Sequence, residues 1–153
     1  MQSSDDEQMS FESGVAAFEA KHFARAMQFL HPMADAGNAE AQYRVAIMYQ
    51  NGLGVVRRPD EAARWMRAAA EQGNAMAQHG LGFMYMEGDC VDKDPAQAVH
   101  WFEKAAAQGL AGSKTTLALM YAQGAGVERD PEAARRWYLS AGFDPDELDS
   151  LKG

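Results

Sequence analysis

Along residues 39–51 the apolar positions fall at Ala41, Val45, Met48 and Tyr49, spacings of three and four that gather them into one narrow arc of a helix. Polar and mixed positions fill the other arcs, so the segment predicts an amphipathic helix with one buried stripe. Gly52 follows and ends it, because glycine takes the left-handed cap without a steric penalty on Cβ. A second helix is predicted from Pro59, since proline has no amide to leave unsatisfied in a first turn. The run "AARWMRAAAEQG" supplies its apolar face and Gly73 closes it.

This pattern returns with a period of 36 residues: segments 39–74, 75–110 and 111–146 align without a gap. The same residue recurs at Ala39/Ala75/Ala111, Met48/Met84/Met120, Tyr49/Tyr85/Tyr121, Gly52/Gly88/Gly124 and Val55/Val91/Val127. It recurs again at Pro59/Pro95/Pro131, Ala62/Ala98/Ala134, Trp65/Trp101/Trp137 and Ala69/Ala105/Ala141. Asp94-Pro95 and Asp130-Pro131 read as an N-cap followed by the first helical residue, whereas Arg58-Pro59 lacks the capping carboxylate and predicts a weaker start. A shorter unit, residues 14–38, precedes these three, with Phe18 in the tyrosine place and Phe29 in the tryptophan place.

The order Ala-x-Ala-Gln, Met-Tyr-x-x-Gly-x-Gly-Val, Asp-Pro, Ala-x-x-Trp, Ala-Ala-x-Gln-Gly resembles the Sel1-like repeat, a relative of the tetratricopeptide repeat, over about residues 11–142. The resemblance implies an all-α fold, an α/α superhelical solenoid of antiparallel helix pairs. It also implies an adaptor function of the kind found in bacterial envelope, signalling or virulence-related assemblies. The expected organisation is a disordered acidic N-terminus (1–10), a tetratricopeptide-like pair (11–38), three Sel1-like repeats (39–74, 75–110, 111–142) and a C-terminal capping segment (143–153). In that last segment Asp144 reads as a cap, Pro145 as the first helical residue and Glu147 as the far side of a capping box. Leu148 and Leu151 are then placed to cover the open face of the last pair; the alternative is an acidic docking peptide.

The stretch "GLGVVRRP" at 52–59 has glycines beside two arginines, but neither a Gly-Lys-Ser/Thr ending nor G-x-G-x-x-G between a strand and a helix. It returns as "GDCVDKDP" and "GAGVERDP", where the basic pair turns mostly acidic. It reads as a connector, with Val55 tucked beneath the turn and Arg57 and Arg58 as solvated charges. Cys90 takes the place of the second glycine. If that place demands a positive φ, cysteine fits it poorly. The expectation is therefore that Gly54 and Gly126 are not strictly required, or that the middle turn bends differently.

Charge and composition narrow the function. Of the net −8 in 153 residues, −3 lies within residues 1–9 and −3 within 143–153, which leaves a nearly balanced body with no basic surface for nucleic acid. No apolar run approaches bilayer length. The polar, acidic start lacks the order of a signal peptide and Cys90 has no partner thiol, so a reducing, cytoplasmic setting is expected. A periplasmic or secreted setting is the alternative if a signal segment has been removed. Asp89, Asp92 and Asp94 around Cys90 disfavour a thiolate. His22, His31, His79 and His100 show no ligand spacing, so neither a metal nor a cofactor is expected.

What remains is a surface. Away from the buried stripe of the first helices lie Glu40, Tyr43, Ile47 and Gln50, then Met76, His79, Phe83 and Met86, then Thr115, Leu119 and Ala122. In tetratricopeptide-type solenoids these helices line the concave side, so Tyr43, Ile47, Gln50, Met76, His79, Phe83, Met86 and Leu119 are the candidate partner-binding residues. Methionine and aromatic side chains suit adaptable peptide recognition. The alternative for Ile47, Phe83 and Leu119 is packing between neighbouring first helices. The expected function is a non-catalytic interaction module for a protein or peptide, as a monomer or weak homodimer. A structural subunit that packs this face on another copy is the second reading, and a hydrolase using Cys90 a distant third.

Overall fold

The computed structural model describes residues 2–144 and 146. Among them all regular structure is helical: α1 (Gln2–Glu19), α2 (Phe23–Asp35), α3 (Ala39–Asn51), α4 (Pro59–Glu71), α5 (Ala75–Glu87), α6 (Pro95–Ala107), α7 (Ala111–Gln123) and α8 (Pro131–Ser140). The chain divides into two compact units, Met1–Ala77 and Gln78–Gly153.

In the first unit α1 packs on α2, α2 on α3 and α3 on α4. The stripe read from the sequence is the core: Ala41, Val45 and Met48 of α3 are buried with Leu30 of α2 and Trp65, Met66 and Ala69 of α4. Asn38 caps α3 by accepting the Ala41 amide at 2.8 Å, while Arg58 offers α4 no side-chain cap, as its sequence predicts. Residues 2–10, expected to be disordered, instead form the first half of α1. Asp5 lies in the first turn, where the helix dipole favours a carboxylate, and Gln8 bonds Glu12 one turn on at 3.0 Å. Asp6 and Ser10 also line a hollow with Phe29, Pro32 and Met33 of α2, so this stretch has a neighbouring helix beside it.

In the second unit α6 packs on α7 and α7 on α8. Ala98, Val99, Phe102 and Ala106 of α6 form one cluster with Leu117 and Met120 of α7. Ala118 and Ala122 of α7 form another with Ala134 and Tyr138 of α8. Each fully buried Phe or Leu side chain stabilises by about 1.5–3 kcal/mol, which makes these stripes the main support of the pairs. Asp94 and Asp130 cap α6 and α8 by accepting the amides of Gln97 (3.2 Å) and Ala133 (3.1 Å). The expected roles of Pro145, Glu147, Leu148 and Leu151 lie outside the described residues.

One glutamine pair ties the helices of each of the first two 36-residue repeats, a feature the sequence pattern contained without announcing its role. Gln42, buried at the start of α3, accepts from Gln72 Nε2 just past the end of α4 at 2.9 Å, and donates to the Ala34 carbonyl at 3.1 Å. Gln108 Nε2 likewise donates to buried Gln78 at 2.9 Å. A bond from the start of one helix to the end of the next requires an antiparallel pair. In the third repeat Lys114 stands in the first glutamine place, and its ammonium donates to the Ser140 carbonyl at 3.3 Å instead.

The long turns repeat one geometry. The amides of Arg58, Asp94 and Asp130 donate to the carbonyls of Tyr49, Tyr85 and Tyr121 at 2.9–3.0 Å. Arg57 Nε donates to the Gln50 carbonyl at 2.8 Å and Arg129 Nε to that of Ala122 at 3.2 Å, so this arginine place caps a helix C-terminus. Arg58 pairs with Asp60 at 3.4 Å. Val127 packs against the α6–α7 cluster. Both branches of the expectation about the second glycine are corrected. Cys90 has φ 67°, against 71° at Gly54 and 75° at Gly126, so the middle turn keeps the same left-handed φ. A Cβ at Gly54 would stand 2.5 Å from the Ala24 amide nitrogen, and one at Gly126 would press into the Pro95 carbonyl. Glycine is required there by backbone contact as well as by φ.

Candidate partner-binding face

In the second unit, α5 presents His79, Phe83 and Met86 at helical spacing. Phe83 is 36 % exposed, with its inner edge held by two rings. His79 lies 4.8 Å away and Phe102 5.2 Å away, centroid to centroid, both edge-on, and His79 meets Phe102 at 5.4 Å. Three mutually edge-on rings place positive ring edges against negative faces, an arrangement worth about 0.5–1.5 kcal/mol per pair beyond burial. Phe102 reaches this cluster because Gly82 lies beneath it: a Cβ there would come within 2.8 Å of the ring.

His79 is anchored rather than free. Its Nδ1 and the Oγ of buried Ser113 on α7 are 2.6 Å apart, a hydrogen bond whose direction follows the ring tautomer. Burial holds the imidazole below its usual pKa, so the ring is neutral near pH 7. Sequence reasoning misses Ser113, yet a signal is present. It is the one hydroxyl in a column that otherwise reads Ala41 and Ala77.

Met86 is half-buried and packs against the α6–α7 cluster, and Leu119 packs against the α7–α8 cluster. Ala122, expected on the open face, is buried in that second cluster. The physical reason is that a first helix in a repeat meets helices on several sides, so the arc away from its own stripe is a flank. Only part of that flank faces water.

In the first unit Tyr43, Ile47 and Gln50 of α3 are all half-buried and Met76 is 47 % exposed. Burial pushes the Tyr43 hydroxyl above its ordinary pKa, with Arg44 pulling the other way. Arg44 lies over the Phe18 ring at 5.1 Å and pairs with Glu19 at 3.6 Å, tying α3 to α1. Each unit therefore carries its own partly exposed aromatic and aliphatic patch. Cys90 is partly buried with its thiol 3.7 Å from the Asp89 carboxylate. Among the described residues no helix is long and apolar enough to cross a membrane.

The Sel1 repeat family model matches residues 39–74, 75–110 and 117–142. Among solved structures, the Sel1 repeat protein from Oxalobacter formigenes aligns with a TM-score of 0.82 at 32 % identity, covering 86 % of this chain and 54 % of that one. The protein c5321, a protective antigen present in uropathogenic Escherichia coli strains displaying an SLR fold, aligns with a TM-score of 0.85 at 33 % identity, covering 89 % of this chain and 30 % of that one. This chain thus spans about half the length of the first and under a third of the second. Helicobacter pylori cysteine rich protein B shares the fold at a TM-score of 0.62 and 16 % identity, covering 79 % of this chain and 86 % of that one. No curated protein matches at a significant level.

Proposed function

Because the chain belongs to the Sel1 repeat family, whose members are generally protein-interaction modules and typically non-catalytic, we propose that it is an adaptor that binds a protein or peptide segment on the first-helix flanks. The observation that carries this reading is Phe83, an aromatic ring left 36 % exposed while His79 and Phe102 hold its inner edge in place. A buttressed ring loses little side-chain entropy on binding, and that is what an interface anchor needs. In the same unit Leu119 on α7 adds apolar area, and in the first unit Met76 is exposed while Tyr43, Ile47 and Gln50 form a separate mixed row on α3. The preferred ligand is a segment bearing an apolar or aromatic side chain.

Peptide display against the folded chain, followed by affinity measurement on Phe83→Asp, tests the reading. The selected peptides are expected to lose at least about 30-fold in Kd, the ~2 kcal/mol of an anchor residue, while Glu87→Ala on the exposed end of α5 leaves binding unchanged. Unaltered binding to Phe83→Asp, with its circular dichroism intact, removes the flank as the site. If sedimentation shows a dimer that Phe83→Asp dissociates, the flank belongs instead to a second copy.

A further inference from the structure

His79 of α5 carries a polar atom that the ring cluster around Phe83 does not use. Its Nδ1 lies 2.6 Å from the Oγ of Ser113 on α7, and Ser113 has no exposed surface. A serine hydroxyl has one hydrogen to give, and His79 is the one hydrogen-bond partner of this hydroxyl among the described residues. Were the ring proton on Nδ1, the buried hydroxyl hydrogen would be left without an acceptor, at a cost of about 1–3 kcal/mol. The hydroxyl therefore donates, Nδ1 accepts, and the neutral ring keeps its proton on Nε2.

Nε2–H meets no acceptor among the described residues. The buried side-chain nitrogens left without a partner there are Arg44 Nε and Trp101 Nε1, so His79 Nε2 reaches the surface. Gly112 of α7 keeps that edge of the ring open. It is exposed, and a Cβ on it would stand 3.4 Å from His79 Cε1 and 3.8 Å from Nε2. The same place in the two preceding repeats holds Glu40 and Met76, whereas at 112 no side chain lies across the ring edge. The one acidic residue of α5 is Glu87, two turns further along, and the Lys114 ammonium of α7 is engaged at the Ser140 carbonyl. An acceptor for Nε2–H has to come from outside the chain.

We propose that the segment bound at the Phe83 flank supplies a side-chain oxygen to His79 Nε2–H, from an aspartate or asparagine one or two residues from the apolar side chain that seats on Phe83. The His79 and Phe83 ring centroids are 4.8 Å apart, and an extended chain advances about 3.3 Å per residue, so neighbouring positions of one segment meet both. Such selectivity presupposes that the flank is the binding face, and it adds a polar requirement to that reading. A lysine or arginine in the acceptor's place brings donors against a donor and is rejected.

The free protein is read first. Long-range proton–nitrogen spectra of the full chain near neutral pH are expected to show His79 protonated at Nε2 and bare at Nδ1; the reverse tautomer overturns the inference. The signals are identified by their loss in His79→Phe with Ser113→Ala. That pair keeps an aromatic ring beside Phe83 and leaves no orphan hydroxyl, since alanine is what this column holds at Ala41 and Ala77. Peptides selected by display are then resynthesised with Asp, Asn, Ala or Lys beside the apolar residue. On the unchanged chain the Asp and Asn forms are expected to bind about 3–10-fold more tightly than the Ala and Lys forms, the size of one hydrogen bond. On the double variant that preference disappears. Equal Kd for all four forms on the unchanged chain, with Phe83→Asp still abolishing binding, overturns the acceptor rule and leaves the flank reading standing. A preference that survives in the double variant assigns the oxygen to another donor and overturns it too. Binding indifferent to Phe83→Asp overturns both.

Discussion

For single residues, left-handed turn positions separate what a side chain can tolerate from what a neighbour allows. Cys90 adopts φ 67° at a cost of about 1–2 kcal/mol for an L-residue in that region. Gly126 adopts φ 75° and also has the Pro95 backbone where a Cβ would go. Cys90→Gly is therefore expected to raise the urea midpoint, a gain of about 1 kcal/mol, and a loss would mean that thiol packing outweighs the strain. Gly126→Ala is expected to cost about 2–4 kcal/mol, because strain and overpacking add there. The sequence displayed three turns of equal length and one odd residue among them. It could not display the Pro95 carbonyl, which comes to Gly126 from a residue 31 positions earlier.

Among the elements, helix pairs are held by apolar stripes and registered by the buried glutamines. Gln42 and Gln72 satisfy each other's amides at 2.9 Å between the start of α3 and the end of α4. Removing one partner strands the other, so Gln42→Ala is expected to destabilise by about 1–3 kcal/mol. In a chemical-denaturation cycle the double replacement with Gln72→Ala should cost less than the two single losses together. Additive losses would show that the pair carries no coupling. Within the 36-residue repeats the starts of the helices, the stripes and the aspartate caps were legible, because each follows from spacing within a few residues, whereas the start of α1 at Gln2 was not. The flank was legible only in part. Tyr43, Ile47, Gln50 and Phe83 do lie off the stripe, but Ala122 is buried, and Met86 and Leu119 pack against core clusters. Which arc of a first helix meets water depends on where α6, α7 and α8 lie, and no single helix's periodicity contains that.

Across the whole molecule, two titrating contacts bracket the pH range in which the chain keeps its full stability from them. Burial lowers the His79 pKa from 6.5, so its contribution is complete above that value and is lost as pH falls below it towards the folded-state pKa. Tyr121 is pushed up to about 12, first by its hydrogen bond to Glu103, so its contribution is complete below pH 10 and is lost as pH rises through about 12. Denaturant midpoints measured across pH should show His79→Gln flattening the acid side and Tyr121→Phe flattening the alkaline side; unchanged slopes would detach these residues from the effect. The class of fold was written in the chain alone: a 36-residue period that repeats Tyr, Gly, Pro and Trp in step can bury its stripes only by pairing helices within and between repeats. Folding in three dimensions was needed to settle which off-stripe residues stay in contact with water and why Gly54 and Gly126 are glycine. Each of these rests on atoms brought together from distant positions, and periodicity along a chain reports only the side on which a residue lies.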